Sequence, residues 1–128
     1  MIYFGVSATD GRFAATQEFY SNIERFTEFG RALTAFPRSI DSEEAFENGS
    51  PDSGISDYLL VRAYLRDGLG HGAIEIVTDN GRSNPYRAKA AFNLHCEVAA
   101  INRLGVELKS WATNPSAPLV WNAVDRDV

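Results

Sequence analysis

Apolar and polar residues alternate almost without interruption between positions 86 and 97. The apolar set is Tyr86, Ala88, Ala90, Phe92, Leu94 and Cys96, and the other set is Arg87, Lys89, Ala91, Asn93, His95 and Glu97. Successive side chains of a strand point to opposite faces, so this pattern predicts a strand with one face in a core and the other in water. Such half-solvated strands are typical of antiparallel sheets.

Other strands are predicted by alternation bounded by turn residues. The first twenty residues resemble a hairpin, with a turn at Thr9-Asp10-Gly11. Residues 58–66 and 72–78 form the next predicted pair, joined by Asp67-Gly68-Leu69-Gly70 and followed by a turn at 79–81. A short strand is also expected at 45–47. Hairpin connections of this kind favour antiparallel pairing.

Two segments have the three- and four-residue spacing of a helical face. The first runs over about 22–36, with Ile23, Phe26, Phe29 or Gly30, Leu33 and Phe36 on one side. Ser21 to Glu24 matches a capping box at its start, and Pro37 ends it.

The second helix is predicted over about 98–112, with Ile101, Leu104, Leu108 and Trp111 on its apolar side. Gly105 lies inside it and should cost roughly 1 kcal/mol relative to Ala, unless close helix packing requires the missing side chain. Leu119 to Trp121 is expected to pack back against the body.

The resulting order is β-β-α-(β)-β-β-β-α, without alternating βαβ units. It predicts one α+β domain over 1–128, with a mainly antiparallel sheet of about five to six strands and two helices packed on one face. The opposite face then meets water or a partner.

Charge is unevenly distributed along this chain of net charge −5. The segment 41–57 holds six acidic residues and no Lys or Arg, namely Asp41, Glu43, Glu44, Glu47, Asp52 and Asp57. These carboxylates would repel a phosphate backbone, which disfavours nucleic-acid binding and favours a basic protein partner.

A second candidate surface is the solvated face of the predicted sheet. It should gather the partner-binding residues Arg62, Tyr64, Arg66, Arg87 and Lys89, together with His95. Tyr and Arg are enriched at interface hot spots, although a solvated sheet face is the simpler interpretation.

No residue pattern indicates catalysis, a cofactor or a metal. Gly68 to Gly72 is followed by a predicted strand, whereas a phosphate cradle requires a helix there. His95 and Cys96 are adjacent in a strand, so they point to opposite faces and do not readily share an ion. Cys96 falls on the expected core face, where a thiol is usually inert.

The expected location is the cytoplasm. The N-terminal residues lack a basic region and a long apolar stretch, and the single cysteine, Cys96, cannot form an intrachain disulfide. No apolar run approaches the roughly 20 residues that cross a bilayer, so no membrane association is expected.

Four short strings resemble a family of small bacterial proteins related to the Wap-type immunity proteins of polymorphic toxin systems. The strings are Phe29 to Pro37, Glu47 to Ser50, Gly70 to Gly72, and Ile101 to Gly105. The resemblance implies a non-enzymatic domain that binds one partner, and it assigns no contact residue.

The leading hypothesis is a bacterial cytoplasmic binding protein that inhibits a basic toxin domain. One alternative is an enzyme or small-ligand protein with a pocket between sheet and helices, in which His71, Arg62 or Arg87 contacts an anion. Another is a structural module that forms homo-oligomers through the open sheet face.

Overall fold

The fold is α+β, as the sequence predicts, and the described part of the chain contains six antiparallel strands and two helices. The computed structural model describes residues 1–50 and 57–123. The strands are β1 (Ile2–Thr9), β2 (Ala14–Ser21), β3 (Glu43–Asn48), β4 (Tyr58–Leu65), β5 (His71–Asp79) and β6 (Lys89–Glu97), and the helices are α1 (Ile23–Thr34) and α2 (Val98–Thr113). The short strand expected at 45–47 is present as β3.

The strands form two sheets rather than the single sheet that the sequence predicts. β3, β4, β5 and β6 pair in that order, and β1 pairs only with β2. The hairpin of β1 and β2 buries Phe4 and Phe19 against aromatic rings of the core: Phe4 lies 4.5 Å from Phe26 and Phe19 lies 5.8 Å from Phe46, between ring centroids. Burial of these rings places the hairpin on the helix side of the larger sheet instead of at its edge.

The core lies on one face of the four-stranded sheet. Phe46, Val61, Ile76 and Phe92 occupy one row across β3 to β6. Phe92 is buried, and so are the inward residues Leu59 and Ile74. The predicted division of β6 into an apolar and a polar face is therefore confirmed.

Helix α1 buries the predicted stripe but does not form the predicted capping box. Its N-cap is Asn22, whose side chain makes no cap hydrogen bond. The hydroxyl of Ser21 instead accepts a hydrogen bond from the Arg25 guanidinium at 3.3 Å. The helix begins one residue later than the box requires, because Ser21 still belongs to β2 and Asn22 is the N-cap.

The other end of α1 is held by α2. The side-chain amide of Asn102 donates to the carbonyl oxygens of Leu33 at 2.9 Å and Phe36 at 2.7 Å. These carbonyls lie at and beyond the last turn of α1, where helical backbone bonding ends, and the Leu33 carbonyl also accepts a hydrogen bond from the Phe36 amide at 3.3 Å. Asn102 therefore fixes α2 to the end of α1.

The two helices cross at a pair of glycines. A Cβ placed on Gly105 would lie 2.5 Å from the backbone nitrogen of Thr34 and 2.6 Å from the carbonyl oxygen of Gly30. A Cβ on Gly30 would lie 2.9 Å from the Gly105 carbonyl oxygen. Close packing explains why glycine occurs inside a helix here.

The segment after α2 returns to the body, as predicted. The Trp121 indole donates to the Ala100 carbonyl at 3.0 Å, and the Trp111 indole donates to the Ala117 carbonyl at 2.8 Å. Neither helix in the described part of the chain has the length and apolar character needed to cross a membrane.

Candidate functional site

The sheet face opposite the helices, hereafter the open face, is the first candidate surface. Its side chains come from alternate positions of β3 to β6. They are Glu43, Ala45 and Glu47; Tyr58, Leu60, Arg62 and Tyr64; His71, Ala73, Glu75, Val77 and Asp79; and Lys89, Ala91, Asn93, His95 and Glu97. Ala45, Ala91, Asn93 and His95 are exposed. Tyr58, Ala73 and Asp79 are buried on the same face.

Carboxylates outnumber cations on the open face. Its carboxylates are Glu43, Glu47, Glu75, Asp79 and Glu97, and its permanent cations are Arg62 and Lys89, to which Arg87 adds a third by its ion pair with Asp79. Glu43, Glu47 and Glu97 are exposed. The described face is therefore acidic, which the basic residues highlighted by the sequence pattern do not suggest.

Arg62 is neutralised by neighbouring strands. Its Nε donates to Glu75 at 2.9 Å on β5, and its NH1 donates to Glu43 on β3. The guanidinium also lies 4.4 Å from the ring centre of Tyr64, whose hydroxyl donates to Asn93 at 2.7 Å. The Arg62 side chain is 26% exposed. The Arg62 guanidinium already donates hydrogen bonds to two carboxylates, so it does not provide a free site for an anion.

The other predicted basic residues lie at opposite ends of the sheet. Arg66 follows β4 and its Nε donates to the Gly72 carbonyl at 2.8 Å. At the far end, Arg87 precedes β6 and donates to Asp79 at 2.8 Å. That hydrogen bond, supported by the amide of Gly81, lowers the pKa of the Asp79 carboxyl. Lys89 opens β6 opposite Asp79. The structure thus brings Arg62 and Tyr64 together but separates Arg66 from Arg87 and Lys89.

The acidic segment divides between two faces of β3, an edge strand of the larger sheet. Glu43 and Glu47 belong to the open face, whereas Glu44 shares the row of Ala63 on the core side. Asp41 is exposed in the preceding loop. Asp57 accepts a hydrogen bond from Gln17 at 3.1 Å. Asp52 lies outside the described residues.

Glu47 connects β3 to two other elements. Its carboxylate accepts a hydrogen bond from the Tyr58 hydroxyl at 2.7 Å. Burial of Tyr58 and this hydrogen bond raise the pKa of the phenol to about 12. The Glu47 carbonyl accepts a hydrogen bond from Arg25 of α1. Helix α1 therefore protects part of the β3 edge, leaving the side chains of the open face as the accessible feature.

The histidines and the cysteine are dispersed. Nδ1 of His71 lies 2.6 Å from a carboxylate oxygen of Asp67, and this hydrogen bond lowers the pKa of Asp67. His95 is exposed on the open face, whereas Cys96 is buried on the core face, where burial raises its pKa to about 11. Among residues 1–50 and 57–123, no three His, Cys, Asp or Glu residues are arranged to hold a metal ion.

The sequence pattern did not locate a second feature, a cavity of about 530 Å³ between the hairpin, the helices and the larger sheet. The alternative hypothesis of a ligand pocket anticipates a concavity there, but with His71, Arg62 or Arg87 as anion contacts. None of those three residues lines the cavity. Small residues of the hairpin, Ala8 and Ala15, lie on its wall, and alternation alone does not distinguish a filled space from an empty one.

Comparisons with known proteins found no match for the chain. No family model matches the chain, no curated protein matches it, and no solved structure matches it.

Proposed function

We propose that this chain is a non-catalytic binding protein whose open face captures a basic protein surface. The observation that carries the proposal is the excess of carboxylates on the sheet face opposite the helices, where Glu43, Glu47 and Glu97 are exposed. Fields of this sign attract cationic partners and raise their association rate.

The open face also offers the residue types that stabilise a docked partner. Tyr64 is half-buried beside Arg62, and exposed Glu43 and Glu47 lie along the β3 edge. Arg62 holds Tyr64 in place through the ring contact and a hydrogen-bonded pair of carboxylates. A preorganised aromatic group surrounded by acidic residues suits a partner that presents Lys or Arg around an apolar centre.

The resemblance to Wap-type immunity proteins specifies the proposed partner and the place where the complex forms. Under this proposal the partner is a basic toxin domain, and the complex forms in the bacterial cytoplasm. The acidic open face also favours this proposal over a homo-oligomer formed through the same face, because two copies would place like charges opposite each other.

Two single charge reversals on β3 test the proposal. Glu43→Lys changes the open face, and Glu44→Lys makes the same charge change one residue away on the other face. The partner to assay is the toxic domain of a secreted protein encoded beside this gene. Its association rate is measured by surface plasmon resonance at several salt concentrations.

We expect Glu43→Lys to slow association about tenfold at low salt and to flatten the salt dependence, with a much smaller effect for Glu44→Lys. Circular dichroism confirms that both variants are folded. Equal association rates for the two variants and the unmodified chain would reject the open face as the binding surface.

A further inference from the structure

The cavity is a half-open pocket bounded by five parts of the chain. The hairpin supplies Val6 and Ala15, α1 supplies Phe29, the sheet supplies Ile74, and α2 supplies Leu108. The segment after α2 adds Trp121, which is anchored by its hydrogen bond to Ala100. The pocket therefore lies on the side of the sheet opposite the open face, and exposed residues such as Thr9 and Val120 belong to its lining, so solvent reaches it.

The lining specifies the chemistry of an occupant. No charged residue lines the cavity within the described part of the chain. An ionic group held against this lining would lose part of its hydration and would find no counter-charge there. The lining favours an occupant without net charge.

Hydroxyl groups near the cavity form hydrogen bonds within the protein. The Ser7 and Thr16 hydroxyls bond each other at 3.0 Å, and the Thr9 hydroxyl donates to the Phe13 carbonyl at 2.8 Å. Each of these hydroxyls has a hydrogen-bond partner within the hairpin, so an occupant need not supply one. Transfer of an apolar ligand from water onto such an apolar lining is favourable.

The cavity is held open by small residues. Ala8 and Ala15 are directly opposite each other across the hairpin and face the core side chains of the sheet and helices. The volume, about 530 Å³, lies within the range of pockets that enclose drug-sized molecules. We infer that this cavity binds a small, uncharged and mainly hydrocarbon molecule, independently of the partner proposed for the open face.

A matched pair of fluorescent probes tests the inferred ligand class. N-phenyl-1-naphthylamine is uncharged, and 1-anilinonaphthalene-8-sulfonate has the same ring system with a sulfonate. We expect saturable binding of the uncharged probe at one molecule per chain, at least about tenfold tighter than binding of the sulfonate. Absence of saturable binding, or equal affinity for the two probes, would overturn the inference.

Two phenylalanine substitutions test the location. Ala8→Phe fills the cavity from the hairpin, and Ala91→Phe adds the same ring to the open face. We expect Ala8→Phe to weaken binding of the uncharged probe about tenfold or more and to leave the thermal midpoint unchanged or raised, since the ring enters empty space. Ala91→Phe should bind the probe like the unmodified chain.

Binding that survives in folded Ala8→Phe would place the probe elsewhere and overturn the assignment. If Ala8→Phe does not fold, Ala15→Leu fills the same space from the opposite strand and is judged by the same criterion. Probe binding does not require the basic partner, so failure of this inference and failure of the proposed function are distinguishable.

Discussion

Helix propensity and helix packing predict opposite effects on stability when Gly105 is replaced by alanine. Helix propensity alone favours alanine inside α2 by about 1 kcal/mol. The structure places the added Cβ 2.5 Å from the Thr34 nitrogen and 2.6 Å from the Gly30 carbonyl oxygen, both on the backbone of the neighbouring helix segment. These atoms cannot move as a flexible side chain does, so α1 and α2 must separate.

Overpacking of this type destabilises a domain by roughly 3 kcal/mol when backbone has to shift. The gain in helix propensity offsets about 1 kcal/mol, which leaves a net loss of about 2 kcal/mol. For a chain of 128 residues, the entropy of unfolding converts that loss into a fall of roughly 7 °C in the thermal midpoint.

Calorimetry or thermal circular dichroism measures this change. Ser110→Ala is the matched control, because Ser110 is exposed in the same helix and reports helix propensity alone. We expect that variant to be unchanged or to gain up to about 0.5 kcal/mol. A thermal midpoint of Gly105→Ala equal to or above that of the unmodified chain would refute close packing of the helices at this point.

Three further predictions follow from buried groups. Asn102→Ala should lower the free energy of unfolding in urea by about 1–2 kcal/mol, because it removes the donor to the Leu33 and Phe36 carbonyls; an unchanged value would mean that water replaces the amide without loss. The phenol of Tyr58 should ionise near pH 12, at a higher pH than an ordinary tyrosine. Absorbance at 295 nm follows this late ionisation step, and Tyr58→Phe should remove it. Since the folded-state pKa is raised, the contribution of Tyr58 to stability is complete below pH 10 and is lost as the pH rises from 10 towards 12; a late step that persists in Tyr58→Phe would contradict the assignment. Cys96, with a pKa raised to about 11 by burial, should react with a disulfide reagent at pH 8 far more slowly in the native chain than in guanidinium chloride, and equal rates would place the thiol in water.

The pattern of the sequence predicted the elements well because each depends on local periodicity. The stripe of Phe26, Phe29 and Leu33 and the alternation around Phe92 required only the helical and strand repeats. The hairpin of β1 and β2 was predicted, but its separation from the larger sheet was not, because alternation does not show which other strands a hairpin pairs with. Packing of Phe4 on Phe26 decided that outcome, and it joins residues far apart along the chain.

The open face was predicted to exist, but its charge was not. Arg62 looks like a free cation when its own strand is considered alone. Glu43 and Glu75 come to lie beside it only through the registers of β3 with β4 and of β4 with β5. The cavity is harder still to predict from the sequence, because it depends on the volume left between Ala8, Ala15 and distant side chains. Hydrophobic periodicity carries no information about that volume.

Carboxylate labelling of the chain with and without its basic partner tests binding through the open face most directly. A carbodiimide and glycine ethyl ester modify accessible carboxylates, and mass spectrometry locates the modified residues. Complex formation should reduce labelling of Glu43, Glu47 and Glu97, and should leave exposed Glu24 and Glu28 on α1 unchanged. Protection of Glu24 and Glu28 with undiminished labelling of the three open-face residues would contradict the account.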